Sequence, residues 1–211
     1  RTLLKKGVAL ERVLQSLVKD KSIDVGSMLI GDRNAILVAA RASAYGEWYK
    51  TTINCPNCGE QNKKAFKLSE PTIYHGDELD EYDVEITEKG TYNVTLPYSK
   101  LVVECRLLTG KDEMKLVKRM QDKKNKQKDG VVLSQMHLYI VAVNEYTETQ
   151  VVDYSINNMV APDSRYLRNA VKAFTPQLKI VGDFECNSCI RTLQPSGRSP
   201  TMVVGPNNER I

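Results

Sequence analysis

Residues 55–59 read Cys55-Pro56-Asn57-Cys58-Gly59, and residues 186–189 read Cys186-Asn187-Ser188-Cys189. Two cysteines with two residues between them can hold one metal ion from a single tight turn. Structural zinc takes four ligands in a tetrahedron and binds thiolates well, so two such pairs complete one site. We therefore predict that these four cysteines share one structural zinc ion, which joins two distant parts of the chain.

Other interpretations of the four cysteines are open at this point. A thiol–disulfide redox centre is disfavoured, because such a centre lies at a helix N-terminus and needs only one pair. Two separate sites shared between subunits, or a site without metal, are the remaining alternatives. Zinc held by four thiolates has no open position for water or substrate, so the predicted site is structural rather than catalytic.

The residues before the first pair predict a helix and then a hairpin. The helix should begin at the N-cap residue Asp32 and end at Gly46. The aromatic and β-branched run Trp48–Asn54 is typical of a strand, and 60–68 should form the returning strand. The helix residues expected to face inward are Ile36, Ala39, Ala40 and Ser43.

The same order recurs before the second pair, which suggests a duplication. Asp32 lies 23 residues before Cys55, and Asp163 lies 23 residues before Cys186. In that alignment the pairs on one helical face are Ile36 with Leu167, Ala39 with Ala170, Ala40 with Val171 and Ser43 with Phe174. We therefore predict an α+β fold of two pseudo-repeated helix–strand–zinc-knuckle halves that share one four-cysteine, zinc-ribbon-like site.

The rest of the chain completes a four-part division. It runs as an N-terminal helical half with the first knuckle (1–69), an acidic loop with strands (70–110), a C-terminal helical half with the second knuckle (111–194) and an extended tail (195–211). The elements expected within it are an apolar helical stripe in 8–20, strands in 92–96 and 101–108, a basic helix from Lys111 to about Gln127, and an apolar helix Val131–Val143. Cys105 falls in an apolar strand and should be a buried thiol.

Charge is distributed unevenly although the net charge is only +4. Residues 70–88 hold no Lys or Arg and eight carboxylates, namely Glu70, Asp77, Glu78, Asp80, Glu81, Asp83, Glu85 and Glu88. Residues 111–130 hold eight Lys or Arg against four carboxylates. A basic helix near a zinc knuckle could bind nucleic acid, but this one contains no aromatic side chain that could stack on bases. A zinc-ribbon nucleic-acid-binding protein is therefore the alternative function, and a surface for a neighbouring subunit is the preferred one.

No catalytic constellation is recognisable in the sequence. The two histidines, His75 and His137, lie in the acidic loop and in an expected helix, where solvated or packing roles are the simplest. Nucleophile-elbow, phosphate-loop and zinc-protease motifs are absent from the sequence. We expect a protein that is not an enzyme, with a hydrolase as a third and weaker class.

The cysteines and the first residue indicate the expected cellular compartment and whether the chain is part of a longer gene product. Five cysteines in a chain without a secretory signal favour metal or free thiols, so the cytoplasm is expected. The sequence has no apolar run of the roughly 20 residues that span a bilayer. Because residue 1 is Arg rather than Met, we expect the chain to begin within a longer gene product.

Several runs together resemble the T-even-type bacteriophage baseplate hub protein family. They are Gly31-Asp32-Arg33-Asn34-Ala35-Ile36-Leu37, Ala40-Arg41, Tyr45-Gly46-Glu47-Trp48-Tyr49, Cys55-Pro56-Asn57-Cys58-Gly59 and Leu107-Leu108-Thr109-Gly110-Lys111-Asp112-Glu113. The likeness is specific from about Asp32 to Gly59. It departs from the family pattern at the second knuckle, where Ile190 stands instead of a glycine.

The resemblance implies a structural or assembly protein of a contractile-tailed phage baseplate. Its partners would be other baseplate and tail proteins in a multi-subunit assembly. Its locations would be the host cytoplasm during assembly and the virion. The surfaces expected to make contacts are the acidic loop 70–88, the basic helix 111–128 and the tail 195–211, which has too little apolar content for a core of its own.

Overall fold

The computed structural model describes residues 8–55, 57–122, 128–180 and 186–189 as a mixture of helices and strands, which confirms the α+β class. The helices are α1 (Val8–Leu17), α2 (Ile30–Tyr45), α3 (Gly110–Asp122), α4 (Lys128–Tyr139), α5 (Thr149–Asn157) and α6 (Ala161–Phe174). The strands are β1 (Trp48–Asn54), β2 (Gln61–Lys67), β3 (Thr72–Tyr74), β4 (Val84–Ile86), β5 (Tyr92–Thr95), β6 (Val102–Cys105), β7 (Ile140–Val143) and β8 (Gln177–Lys179). No helix in this part of the chain has the length and apolar character that a membrane crossing requires.

The described residues fall into two compact units, each built from two segments. The first unit comprises Arg1–Arg33 and His75–Pro176, and the second comprises Asn34–Tyr74 and Gln177–Ile211. Both cysteine pairs therefore belong to the second unit. The four-part division by sequence position stays a prediction, and its tail, 195–211, lies outside the described residues.

The first unit is built on an antiparallel sheet in the order β4-β5-β6-β7. In its centre Val94 of β5 pairs with Val103 of β6, and both side chains are fully buried. Helices α4, α5 and α6 cover this sheet with the buried residues Met136, Tyr139, Val152, Ile156, Leu167, Ala170 and Phe174. The Phe174 ring stacks on Tyr92, with ring centroids 4.0 Å apart and planes 3° from parallel. Burial of this apolar surface is the main stabilising contribution to the unit.

The expected helix Val131–Val143 is wrong in its last four residues. Helix α4 begins at Lys128 and ends at Tyr139, and residues 140–143 form strand β7. The run Ile-Val-Ala-Val is mostly β-branched, and its backbone pairs with β6, where Val103 lies opposite Val143. A continuous apolar run looks the same for a buried helix and a buried strand, so pairing with β6 decides the outcome.

Asp163, which aligns with the expected helix cap Asp32, does not cap helix α6. Helix α6 begins at Ala161, with Pro162 in its first turn. The fully buried Asp163 carboxylate instead accepts hydrogen bonds from the backbone amides of Tyr98 and Ser99, each at 2.9 Å. It thereby fixes the turn between β5 and β6 to the start of α6.

Acid unfolding should depend on Asp163. Burial alone would raise the pKa of this carboxyl, but hydrogen bonds from Ser99 and from the Tyr98 and Ser99 amides outweigh it and lower the pKa. A lowered pKa means that Asp163 stabilises the fold above its unfolded value of about 3.9 and loses that effect as the pH falls through the folded value. Asp163→Asn should weaken the fold at neutral pH and flatten its acid dependence in urea unfolding. An acid dependence equal to that of the wild type would contradict this role.

Around Arg33 the first unit contains a partly buried ion-pair network. The Arg33 guanidinium, 4% exposed, lies 2.7 Å from Glu11 of α1 and 3.6 Å from Glu113 of α3. Gly110 leaves the space for it, because a Cβ there would overlap the guanidinium. In α1, Leu14 is buried as expected, whereas Val13 and Leu17 of the same expected stripe are 50% and 43% exposed. The family-like residues Arg33, Gly110 and Glu113 therefore meet at one place.

The second unit contains the hairpin β1–β2, the pair β3–β8 and most of α2. Both hairpin strands are confirmed, with Ile53 opposite Asn62 and Tyr49 opposite Phe66. A small core forms below the hairpin from Ile53, Phe66, Leu68 and Ile180, with Val38, Ala42, Tyr49 and Leu178 packed against it.

The inward face expected for α2 is wrong at two of its four positions, whereas Ile36 and Ala40 are half-buried. Ala39 and Ser43 are exposed, and the helix contacts the small core through Val38 and Ala42 instead. The helix also begins at Ile30, before the expected cap at Asp32. The positions aligned with Ala39 and Ser43 in α6, Ala170 and Phe174, are fully buried. The two helices thus differ in burial at these two aligned positions.

Candidate metal centre

The first cysteine pair lies on the turn that connects β1 and β2. The Cys55 amide donates to the Glu60 carbonyl and the Gly59 amide donates to the Cys55 carbonyl, both at 2.8 Å. Gly59 has a φ of +76°, a left-handed conformation that glycine adopts without strain. The glycine is therefore required by the turn that closes the hairpin and presents the two sulfurs.

The structure brings the four cysteines together. All four sulfurs lie within 4.8 Å of one another. The Cys55 and Cys189 sulfurs are 3.8 Å apart, and the Cys58 and Cys186 sulfurs are 3.5 Å apart. A regular zinc tetrahedron with Zn–S bonds of about 2.3 Å requires S···S distances of about 3.8 Å. Disulfide sulfurs would lie about 2.0 Å apart, so the arrangement fits a four-thiolate metal site and not two disulfides.

The surroundings of the sulfurs shift the pKa values of two thiols in opposite directions. The backbone amides of Cys189 and Ser188 point at the Cys186 sulfur and lower the pKa of that thiol to about 6. The Glu60 amide acts in the same direction on Cys58, but hydrogen bonding to Cys186, burial, and contact with the Cys55 and Cys189 sulfurs raise the pKa of Cys58 to about 12. Because the thiols compete for negative charge at short range, all four can ionise together only around a positive ion.

Asn62 is a buried residue that contacts the cysteine cluster. Its role was not identified from the sequence. Its side chain is 1% exposed and makes three contacts. The Nδ2 group donates to the Glu60 carbonyl at 2.9 Å and lies 3.6 Å from the Cys186 sulfur, and Oδ1 accepts from the Asn187 amide at 2.9 Å. Asn62 thus links the first turn to the second. Its inward register opposite Ile53 is the only sequence signal, since a polar residue at a buried strand position needs partners.

Asn62→Leu should destabilise the protein and weaken metal binding. Leucine keeps the volume but leaves the Asn187 amide without its partner, which costs about 1–3 kcal/mol. Loss of an outer-shell hydrogen bond typically lowers metal affinity about 10- to 100-fold. Urea unfolding and competition with a chromogenic zinc chelator would measure the two effects. Asn54→Leu, an exposed position at the end of β1, is the matched control and should retain the wild-type affinity.

The other candidate residues lie apart from the cluster. Cys105 is fully buried in β6, as expected, and burial raises the pKa of its thiol. His75 is exposed, and the Nδ1 of His137 lies 3.0 Å from the Asp153 carboxylate, so this histidine joins α4 to α5. In the described ranges, no second group of three or more His, Cys, Asp or Glu side chains comes together as possible metal ligands.

The charged segments are only partly described. Within 70–88 the chain forms strands β3 and β4 rather than one continuous loop. Helix α3 confirms the start of the basic helix at residue 110, whereas residues 123–127, which contain three of its lysines, lie outside the described residues, as does Ile190 of the second knuckle.

One comparison with known proteins gives a match. Residues 5–91 match the model of a family described as T4 bacteriophage base plate protein. No curated protein and no solved structure shows significant similarity to the chain. The match covers less than half of the 211 residues, and it includes the run Asp32–Gly59 and the first cysteine pair. Over residues 5–91, the chain is therefore similar to the family described as T4 bacteriophage base plate protein.

Proposed function

We propose that this protein is a structural or assembly component of the baseplate hub of a contractile-tailed phage, held in shape by one structural zinc ion. The zinc site is supported by the cluster of four cysteine sulfurs, which lie within 4.8 Å of one another. The baseplate role is supported by the family match over residues 5–91. The protein acts through contacts with other proteins and not through catalysis.

In this proposal Cys55, Cys58, Cys186 and Cys189 hold the zinc ion, and the ion supplies folding free energy. Binding at structural sites contributes on the order of 10 kcal/mol, which is comparable with the whole stability of a domain. The ion fixes the end of the hairpin to a segment more than one hundred residues later in the chain. With only a small apolar core in the second unit, a metal ion supplies the stability that burial does not.

The zinc-ribbon-like duplication remains part of the proposal. It is supported by the shared order of helix, strand and cysteine pair in α2–β1 and in α6–β8. The different burial of aligned positions in α2 and α6 argues against a close structural copy. If the halves arose by duplication, they have since acquired different packing partners, because β1 pairs with β2 whereas β8 pairs with β3.

The proposed partners are other baseplate and tail proteins, met first in the host cytoplasm and then in the virion tail. The family match supports this placement. The test is quantitative mass spectrometry of purified phage tails and of baseplate precursors from infected cells. The proposal expects the chain at fixed stoichiometry in at least one of them. Its absence from both, together with normal baseplates in infections that lack it, would refute the proposed role.

A further inference from the structure

The outward face of the hairpin β1–β2 is basic and has one large aromatic residue. Strand alternation places eight side chains on this face: Trp48, Lys50, Thr52, Asn54, Gln61, Lys63, Ala65 and Lys67. Three of them are lysines and none is a carboxylate. Trp48 lies opposite Lys67 and is 56% exposed. Like charges on one face of a strand pair repel each other, so this composition does not serve the hairpin itself.

Among the described residues, one lysine of this face has a carboxylate partner. Lys67 pairs with Glu70, which follows the hairpin. Within the described parts of the chain, Lys50 and Lys63 make no ion pair. Ala65 lies opposite Lys50. Because its side chain is small, an extended segment can approach the middle of this face closely. An exposed tryptophan beside free cations is typical of a binding surface for an acidic partner that also carries an apolar group.

The same chain contains a surface of the opposite character. Its exposed carboxylates are Asp77, Glu78, Asp80, Glu81, Asp83, Glu85 and Glu88, and none of them takes part in an ion pair within the described residues. Strand β4 crosses this acidic segment, 77–88, at an edge of the four-stranded sheet. Ile86 at the end of β4 is 66% exposed and offers an apolar contact for an aromatic ring.

We propose that the basic hairpin face binds the acidic segment 77–88 of a second copy of this chain. Lys50 and Lys63 would face the carboxylates, and Trp48 would cover Ile86. Because the two surfaces differ, the contact is heterologous, and a pair of copies leaves one basic face and one acidic segment free. Copies would therefore join head to tail into a ring or a chain. This inference goes beyond the proposed function and does not depend on the identity of the metal.

Sedimentation velocity of the full chain tests the contact. The wild type should self-associate in about 50 mM NaCl and dissociate in about 500 mM, since salt screens exposed charges. Trp48 is the one tryptophan in the sequence, so its fluorescence reports on this face, and its emission should shift to shorter wavelength on association. A wild type that stays monomeric at every salt concentration would overturn the proposal.

Two charge-reversal variants make the test specific. Lys50→Glu/Lys63→Glu removes the basic face, and Asp80→Lys/Glu81→Lys removes the acidic one. Each variant alone should associate at least about tenfold more weakly than the wild type. An equimolar mixture should form a 1:1 complex, because the first variant keeps an intact acidic segment and the second keeps an intact hairpin. Undiminished association of either variant, or no complex in the mixture, would refute the contact.

Two separate controls test whether the variants still fold and whether the basic face binds nucleic acid instead. Both variants should keep the wild-type zinc content and melting temperature, and Lys50→Gln/Lys63→Gln replaces the first variant if charge reversal prevents folding. Oligo-dT serves as the competing probe, because lysines around a tryptophan can also bind single strands by stacking. Salt-sensitive quenching of Trp48 by oligo-dT, without self-association of the protein, would replace the proposed partner with nucleic acid.

Discussion

Cys186→Ser is expected to give insoluble protein without bound zinc. Serine removes one of the four proposed zinc ligands, whose sulfurs lie within 4.8 Å of one another. A three-thiolate site binds zinc far more weakly, and the remaining sulfurs lose the cation that allows them to be ionised together. The folding free energy of a structural zinc site is comparable with the net stability of a domain, so its loss unfolds the part of the chain that it holds. Expression trials and elemental analysis of any soluble fraction measure the effect.

Cys105→Ala is the matched control for that substitution. Cys105 is the fifth cysteine, and its buried thiol has a raised pKa and lies in the first unit. The control variant should remain soluble with the same zinc content as the wild type. A Cys186→Ser protein that is soluble, zinc-free and unchanged in melting temperature would show that the cluster has no structural role.

Phe174→Ala is expected to cause the second large loss. The ring is fully buried at the end of α6 and stacks on Tyr92 of the central sheet. Truncation of a buried phenylalanine costs about 3–5 kcal/mol, because the transfer free energy and the packing around the cavity are both lost. Urea unfolding followed by circular dichroism would measure the change in the free energy of unfolding.

Two further substitutions serve as comparisons for the loss of stability caused by Phe174→Ala. Phe174→Leu fills part of the cavity and should cost clearly less than alanine. Tyr154→Ala, at a side chain that is 71% exposed on α5, should change the free energy of unfolding by no more than about 0.5 kcal/mol. Equal losses at Phe174 and Tyr154 would contradict the core assigned to the first unit.

The sequence was sufficient where a local pattern determines the outcome. The C-x-x-C pairs predicted that four distant cysteines come together, and the alternating aromatic and β-branched residues predicted the hairpin. Cys105 was placed correctly in a buried strand because its neighbours are apolar. In each of these cases a few adjacent residues contain the whole signal.

Elsewhere tertiary contacts decide what a local pattern leaves open. Residues 140–143 continue an apolar helix in sequence but form β7, since β6 offers an open edge. Ala39 and Ser43 were expected to be buried, yet the hairpin contacts α2 through Val38 and Ala42. Small residues such as alanine and serine lie equally well on either face of a helix, so their spacing identifies no inner side.

The roles of the buried polar residues in the two units could not be predicted from the sequence either. Asn62 and Asp163 are buried, and their partners lie far away in the chain. An isolated Asn in a strand or Asp near a helix start has ordinary local explanations. Only the fold shows that Asn62 holds the second cysteine turn and that Asp163 holds the turn between β5 and β6.

X-ray absorption at the zinc edge of the purified full chain measures the atoms that surround the ion. We expect one zinc ion per chain, bound by four sulfur atoms at about 2.3 Å. A first shell that contains nitrogen or oxygen, or a purified folded protein without zinc, would contradict the claim that these four cysteines hold a single structural ion.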